Sequence, residues 1–179
     1  MAATGGASGN PVVITSTTPN VCTVAGTVVR FVGVGTCVIA ANQSGNSAYN
    51  AAPQVMQSVK VDYRFTGFAD PVKNDGTLNT AKAGKAIALT WRVTDAAGAP
   101  VLTLTTAVIS VKELSCSVGG ADNLLDETTA GGSGLQNLGD GYYQLNWKTP
   151  ASYARSCKTL HLDLGEGSGT RTASFAFTK

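Results

Sequence analysis

The residues best suited to chemistry in this chain of 179 residues are four cysteines, one histidine and a few carboxylates. The cysteines form two separated pairs, Cys22 with Cys37 and Cys116 with Cys157. Zinc sites take closely spaced ligands such as C-x-x-C, and that spacing does not occur in this sequence. We therefore expect two disulfides, each within one module, because the other pairings would join separate cores.

His161 is the only histidine, and it alternates with Leu160 and Leu162 in a strand-like segment. This alternation directs it away from the leucine face, so we expect a surface histidine. A general base needs a partner within hydrogen-bond reach, and no nucleophile-elbow motif accompanies it. No carboxylate pair has a spacing that indicates glycoside hydrolysis. The sequence predicts no catalytic residue, no cofactor and no enzyme.

Four carboxylates in a glycine-rich stretch could approach a cation: Asp122, Asp126, Glu127 and Asp140. Calcium takes six to eight oxygen ligands, and the sequence contains no D-x-D-x-D-G run to supply them. We therefore expect a solvated loop and no metal site.

Five aromatic residues could form a platform on which a sugar stacks. Period-two alternation places Trp91 with Leu89 and Trp147 with Leu145, which favours positions in the core instead. A carbohydrate-binding surface stays an alternative, and its candidate residues are Trp91, Trp147, Tyr142, Tyr143 and Tyr153.

A covalent bond between a lysine and an Asn or Asp side chain is a further alternative. Such a bond needs a buried lysine beside the amide and an acid, and the sequence does not show that arrangement. The available residues are Lys82, Lys85, Lys112, Asn146 and Asp163.

Composition indicates an exported protein. Hydrophobic residues make up 43% of the chain and charged residues only 13%, against roughly 25% in an average soluble domain. The net charge is +2, and the Lys and Arg residues are scattered along the sequence without a basic stripe. This distribution argues against binding of nucleic acid. No apolar run approaches the ~20 residues of a membrane span. The start lacks the regions of a signal peptide, so we expect an export signal elsewhere and a secreted or cell-surface location.

Period-two alternation runs through most of the chain and predicts an all-β fold of antiparallel β-sandwiches. Turn residues such as Gly139-Asp140-Gly141 end the segments. Only residues 51–57 and 122–128 could form a short helical turn. The strongest strand patterns lie at residues 59–68, 87–93, 143–147, 160–164 and 175–177.

Residues 10–61 resemble a bacterial immunoglobulin-like repeat, a module that recurs in tandem in secreted and cell-surface proteins. The resemblance rests on Pro19-Asn-Val-Cys22, Gly33-Val-Gly35-Thr-Cys37 and Tyr49-Asn-Ala-Ala-Pro53. Such repeats usually begin with two further strands, and only residues 1–9 stand in their place. The resemblance thus implies an incomplete sandwich with an open edge, through which the chain could self-associate.

Residues 62–179 resemble the PxKF-type domain of exported actinobacterial proteins. The residues that carry this resemblance include Phe65-Thr-Gly-Phe68, Trp147-Lys-Thr149, Cys157 with Leu160, and Phe175-Ala-Phe177. Residues 85–91 lack the Pro and the Lys-Phe that give the family its name. The family implies a second Ig-like sandwich and no catalytic role.

These observations predict two modules, residues 1–61 and 62–179. The function that they favour is a structural or adhesive segment of a secreted or cell-surface bacterial protein, acting as a spacer or fibre subunit. Strand complementation of the first module would link copies into a filament. The alternative is an extracellular module that binds a glycan or a surface protein.

Overall fold

A computed structural model describes residues 1–116, the backbone of 123–126, and residues 134–166 and 171–179. The described residues form two compact units. Unit 1 consists of Met1–Tyr63 with Asp95–Ala99, and unit 2 consists of Arg64–Thr94 with Pro100–Lys179. Strands dominate both, and the one helical turn among the described residues is a 3-10 turn at Ala151–Tyr153. The predicted all-β fold is confirmed. No helix in the described part is long and apolar enough to cross a membrane.

Unit 1 contains five strands in two sheets. Strands β1, β4 and β5 form an antiparallel sheet in the order β1-β4-β5, and β2 and β3 form a separate hairpin. The hairpin turns at Gly26, whose positive φ of 60° is a conformation that favours glycine. The strands are β1 (Val12–Ser16), β2 (Cys22–Ala25), β3 (Val28–Phe31), β4 (Gly35–Gln43) and β5 (Ala52–Val61).

The core of unit 1 is small. Its buried members are Cys22, Cys37, Ile39 and Val61. The two cysteines of the disulfide therefore make up half of this cluster. Ala96, in the segment Asp95–Ala99 of the same unit, packs against it together with Ile14, Val21, Val24, Val29 and Phe31. A core of this size supplies little hydrophobic stabilisation, so the bridge carries an unusually large share.

Unit 2 is a β-sandwich of a four-stranded and a five-stranded sheet. Their orders are β11-β12-β8-β6 and β10-β9-β13-β14-β7. Nearly all pairings are antiparallel, whereas β7 runs parallel to β14. The strands are β6 (Arg64–Phe68), β7 (Asn79–Lys82), β8 (Ala86–Thr94), β9 (Val108–Leu114), β10 (Asn123–Asp126), β11 (Gln136–Gly139), β12 (Tyr142–Lys148), β13 (Cys157–Asp163) and β14 (Arg171–Thr178).

Aromatic rings join the two sheets of unit 2. Trp147 on β12 meets Phe175 and Phe177 on β14 edge-on, with ring centroids 5.3 and 5.8 Å apart. Edge-to-face contacts of this kind add to the free energy that the buried area provides. The period-two pattern thus places its large side chains between the sheets, as predicted from residues 143–147 and 175–177.

Two local predictions were wrong. Residues 59–68 do not form one strand, because β5 ends at Val61 and β6 begins at Arg64, where unit 1 gives way to unit 2. Residues 51–57 form no helical turn, since pairing with β4 extends nearly all of them. Of residues 122–128, 123–126 form strand β10 and the rest lie outside the described residues.

Candidate functional site

The most distinctive surface of the molecule is the outer edge of β5 in unit 1. This strand is ten residues long and pairs with β4 along one side. Among the described residues no strand pairs with its other side. Most of its side chains are exposed, including 66% of Val55 and 55% of Met56. A long exposed strand with unpaired backbone groups is a template for another strand.

The register shows which side chains of β5 face the core. Val59 lies opposite Cys37, Gln57 opposite Ile39 and Val55 opposite Ala41, so all three share the face that carries the core cluster. The β4 members Cys37 and Ile39 are buried, whereas Val55 and Val59 are exposed. The inner face of the sheet is therefore buried over β4 and largely exposed over β5.

Residues 1–11 lie along this inner face without forming a strand. The buried amide of Gln43 fastens them: Gly6 N–H donates to Gln43 Oε1 at 2.6 Å, and Gln43 Nε2 donates to the Asn10 carbonyl at 2.7 Å. Spaces of about 500, 300 and 110 Å³ remain between this segment and the sheet. A paired strand with alternating side chains would fill such space far better than this glycine-rich segment does.

Both cysteine pairs are bonded in the structure. Cys22 is joined to Cys37 with Cα atoms 5.6 Å apart, and Cys116 is joined to Cys157 at 5.3 Å. The first bridge links β2 to β4 and therefore ties the hairpin to the three-stranded sheet. The second connects the residues that follow β9 to the first residue of β13, its neighbour in the five-stranded sheet.

The structure buries His161, which contradicts the expectation of a surface residue. His161 lies on β13 between Ser110 and Thr172 of the flanking strands and is 8% exposed. Alternation correctly predicted that His161 lies on the face of β13 opposite to Leu160 and Leu162, which occupy the core face. It did not predict that β13, paired on both sides, is covered on its outer face as well.

The candidate sugar platform does not form a surface. Trp91, Tyr143, Trp147 and Tyr153 are all buried, as the core interpretation predicted for the two tryptophans. Tyr142 alone of the five is exposed, and the Arg92 guanidinium lies 5.6 Å from its ring centroid. One exposed ring gives a sugar too little stacking area to define a binding site.

Of the four carboxylates considered as cation ligands, only Asp140 has a described side chain. Asp122 and Glu127 lie outside the described residues, as does the side chain of Asp126. Asp140 accepts both carboxylate hydrogen bonds from the Arg92 guanidinium, each at 3.2 Å. Within the described part of the chain, no three His, Cys, Asp or Glu side chains are grouped as metal ligands.

The lysines proposed for an internal covalent bond do not meet its requirement for burial. Lys82 and Lys85 are exposed and Lys112 is half-buried. The buried lysine is instead Lys158, 5% exposed, whose ammonium donates to Glu113 at 2.8 Å and lies 5.1 Å from the ring centroid of Tyr153. That arrangement is an ion pair capped by an aromatic face.

Strand order and sheet packing define an all-β protein whose unit 2 is a two-sheet sandwich, and the described residues assemble no catalytic constellation. No protein-family model matches the chain, and no curated protein matches it. Among solved structures it is similar to domains 4 and 5 of the S-layer protein SbsC, at 13% identity over 94% of this chain and 77% of that one, with a TM-score of 0.33. A chimeric titin Z1Z2 tandem matches at 13% identity over 80% and 64%, with a TM-score of 0.28. The chain spans 21% of the longer S-layer structure rSbsC(31-844), which it matches at 17% identity with a TM-score of 0.31.

Proposed function

We propose that this chain is a non-enzymatic structural segment of a secreted or cell-surface protein, in which two Ig-like modules act as a spacer or as fibre subunits. In this proposal unit 1 is a bacterial Ig-like repeat, and unit 2 is a divergent PxKF-type domain. Two disulfides support an oxidising compartment outside the cytosol. Antiparallel ladders and buried rings would then resist extension, and each bridge would limit how far its unit unravels.

The observation that carries the assembly part of the proposal is the uncovered edge of β5. A strand from a neighbouring copy would pair with this edge and lay its alternate side chains over Val55 and Val59, where unit 1 now has exposed apolar surface. Main-chain hydrogen bonds would supply affinity and the inner-face contacts would supply register. Repetition of a head-to-tail contact of this kind gives a filament.

Charge substitution on the two faces of β5 tests this assembly. We expect the parent protein to form oligomers as its concentration rises, and Val55→Lys to abolish them, because an inward-pointing lysine on an edge strand opposes strand addition. Met56→Lys is the matched control, since Met56 is the next residue, has similar exposure and faces the opposite side of the sheet. Sedimentation velocity over a concentration series measures the outcome.

Two results would overturn strand addition at β5. One is a parent protein that stays monomeric at the highest concentration reached. The other is loss of oligomers to the same extent in Val55→Lys and Met56→Lys, which would indicate a general effect of charge. Hydrogen exchange of the β4 amides in both variants verifies that unit 1 is still folded.

The alternative function is an extracellular binding module. Four of the five candidate aromatic residues are buried, so they do not form the surface on which a glycan could stack. Binding of a protein partner remains as a second candidate, and the observation that favours it is a basic cleft in unit 2.

A further inference from the structure

A cleft of about 470 Å³ opens in unit 2 between β7 and the first half of β8. Its volume lies within the range of pockets that bind ligands. The floor is apolar and includes Val72, Ile87 and the buried ring of Phe175. The rim carries three exposed lysines, Lys73, Lys82 and Lys85.

Both strands beside the cleft have an unpaired edge. β7 pairs with β14 on one side, and among the described residues no strand pairs with its other side. β6 pairs with β8 only at Trp91, Val93 and Thr94, which leaves residues 86–89 without a partner on that side within the described structure. Backbone donors and acceptors therefore line the cleft, and the chemical group that matches a row of them is another peptide backbone.

The rim of the cleft carries positive charge. Within the described residues no carboxylate forms an ion pair with any of the three rim lysines. One more lysine lies beside them in the strand register, Lys148 opposite Ala86. A group of cations raises the local concentration of acidic ligands.

The acid in the neighbouring loop, Asp75, interacts electrostatically with Lys73 but bonds mainly to its own turn. Asp75 accepts hydrogen bonds from the hydroxyl of Thr77 at 2.6 Å and from its amide at 3.0 Å. These bonds, the hydroxyl first, lower the pKa of the Asp75 carboxyl, which is exposed and turned to its own loop. Its carboxylate thus stabilises the turn.

Buried amide contacts fix the rim in place. Asn79 is 8% exposed; its Oδ1 accepts from Lys73 N–H at 2.8 Å, and its Nδ2 donates to the carbonyls of Lys73 and Ser174 at 3.2 and 3.0 Å. Asn74 binds both the N–H and the carbonyl of Phe68 in the same manner. The backbone at Lys73 is therefore ordered before any ligand arrives, which lowers the entropic cost of binding.

We propose that this cleft binds an extended acidic segment of a partner protein, which adds as a strand along β8 or β7. Carboxylates of the segment meet Lys73, Lys82 and Lys85, and the alternate apolar side chains contact the floor at Ile87 and Phe175. An anionic glycan would satisfy the lysines but not the row of strand-edge groups, so the unpaired edges favour a peptide. This site is independent of strand addition at β5 in unit 1.

Fluorescence anisotropy with synthetic peptides tests the site on the full chain. The probe is a labelled peptide of about ten residues with alternating Glu and Val, long enough to follow one strand. We expect it to bind at low salt and to weaken as salt is added, because the exposed charges become screened. A Lys-Val peptide of the same length should not bind.

Two variants and a modified peptide separate this site from general electrostatics. Lys82→Glu with Lys85→Glu should weaken binding by about tenfold or more, since both attractive pairs become repulsive. Arg30→Glu with Lys60→Glu, exposed on unit 1, changes the net charge equally and should have little effect. Methylation of alternate backbone nitrogens in the Glu-Val peptide should also weaken binding, because it removes the donors of the added strand.

Several results would overturn the proposal. One is no binding of the Glu-Val peptide by the folded protein. Another is equal loss in both charge variants, and a third is equal affinity for the methylated peptide. Polygalacturonate that binds at the cleft while the peptide does not would assign the lysines to a glycan. None of these results affects the oligomerisation test of β5, so the two proposals can be tested separately.

Discussion

At the scale of single residues, Tyr143 shows how one hydroxyl organises a segment that forms no strand. Its ring is fully buried in unit 2, with the indole of Trp91 stacked 6.4 Å away. Its hydroxyl donates to the Val101 carbonyl at 3.1 Å and accepts from Leu104 N–H at 3.0 Å. The phenol therefore fastens residues 101–104 against the sandwich.

Removal of the Tyr143 hydroxyl should destabilise unit 2. We expect Tyr143→Phe to lower the free energy of unfolding of unit 2 by about 1 to 3 kcal/mol, because buried backbone groups lose their partner. Tyr142→Phe is the control and should change it by less than about 0.5 kcal/mol, since this neighbouring ring is exposed. Urea titration followed by tryptophan fluorescence measures both, because Trp91 and Trp147, the only tryptophans, lie in unit 2. Equal effects of the two substitutions would contradict this role.

At the scale of elements, the hairpin between β11 and β12 depends on a turn that the sequence predicted. Gly139, Asp140 and Gly141 all have positive φ, and Arg92 binds the carbonyl and carboxylate of Asp140. The two glycines differ in their surroundings. A Cβ at Gly139 would meet nothing within 4 Å, whereas a Cβ at Gly141 would collide with the Val93 carbonyl oxygen, which accepts from Val101 N–H.

The two glycines should therefore respond differently to alanine. Gly139→Ala incurs only the cost of a positive φ, about 1 to 2 kcal/mol. Gly141→Ala adds displacement of the Val93 backbone and should exceed it by at least about 1 kcal/mol, the worth of one lost hydrogen bond. The tryptophan-monitored urea transition of unit 2 compares them. A Gly139→Ala variant as unstable as Gly141→Ala would show that φ alone sets the cost.

Element positions could be predicted from the sequence better than their partners could. Alternation located β8, β12 and most of β13, and it placed the tryptophans in the core. It did not predict that β6 and β7 join opposite sheets or that β7 runs parallel to β14, because a period of two fixes the face of a side chain and leaves the pairing open. Burial of His161 was missed for a related reason, because alternation does not show that β13 lies between β9 and β14.

At the scale of the whole molecule, the two bridges serve cores of very different size. Unit 2 buries many large side chains between its sheets, whereas the buried cluster of unit 1 consists of Cys22, Cys37, Ile39 and Val61. The paired cysteines in the sequence predicted one bridge within each module. Their difference could not be predicted from spacing, because it depends on how much apolar surface each unit buries around them.

Paired replacement of each bridge by alanine tests this asymmetry. Chain entropy assigns about 3 kcal/mol to the bridge that closes 15 residues and about 4 kcal/mol to the one that closes 41. We nevertheless expect loss of the bridge between Cys116 and Cys157, which has the larger entropic contribution, to disrupt its unit less than loss of the other bridge. Cys116→Ala with Cys157→Ala should lower the tryptophan-monitored stability of unit 2 and leave it folded. Cys22→Ala with Cys37→Ala should unfold unit 1, since it removes the cross-link and half of the buried cluster together. Amide exchange measured by NMR gives the decisive readout: β4 protection that survives the loss of Cys22 and Cys37 would mean that the apolar contacts of unit 1 suffice without the bridge.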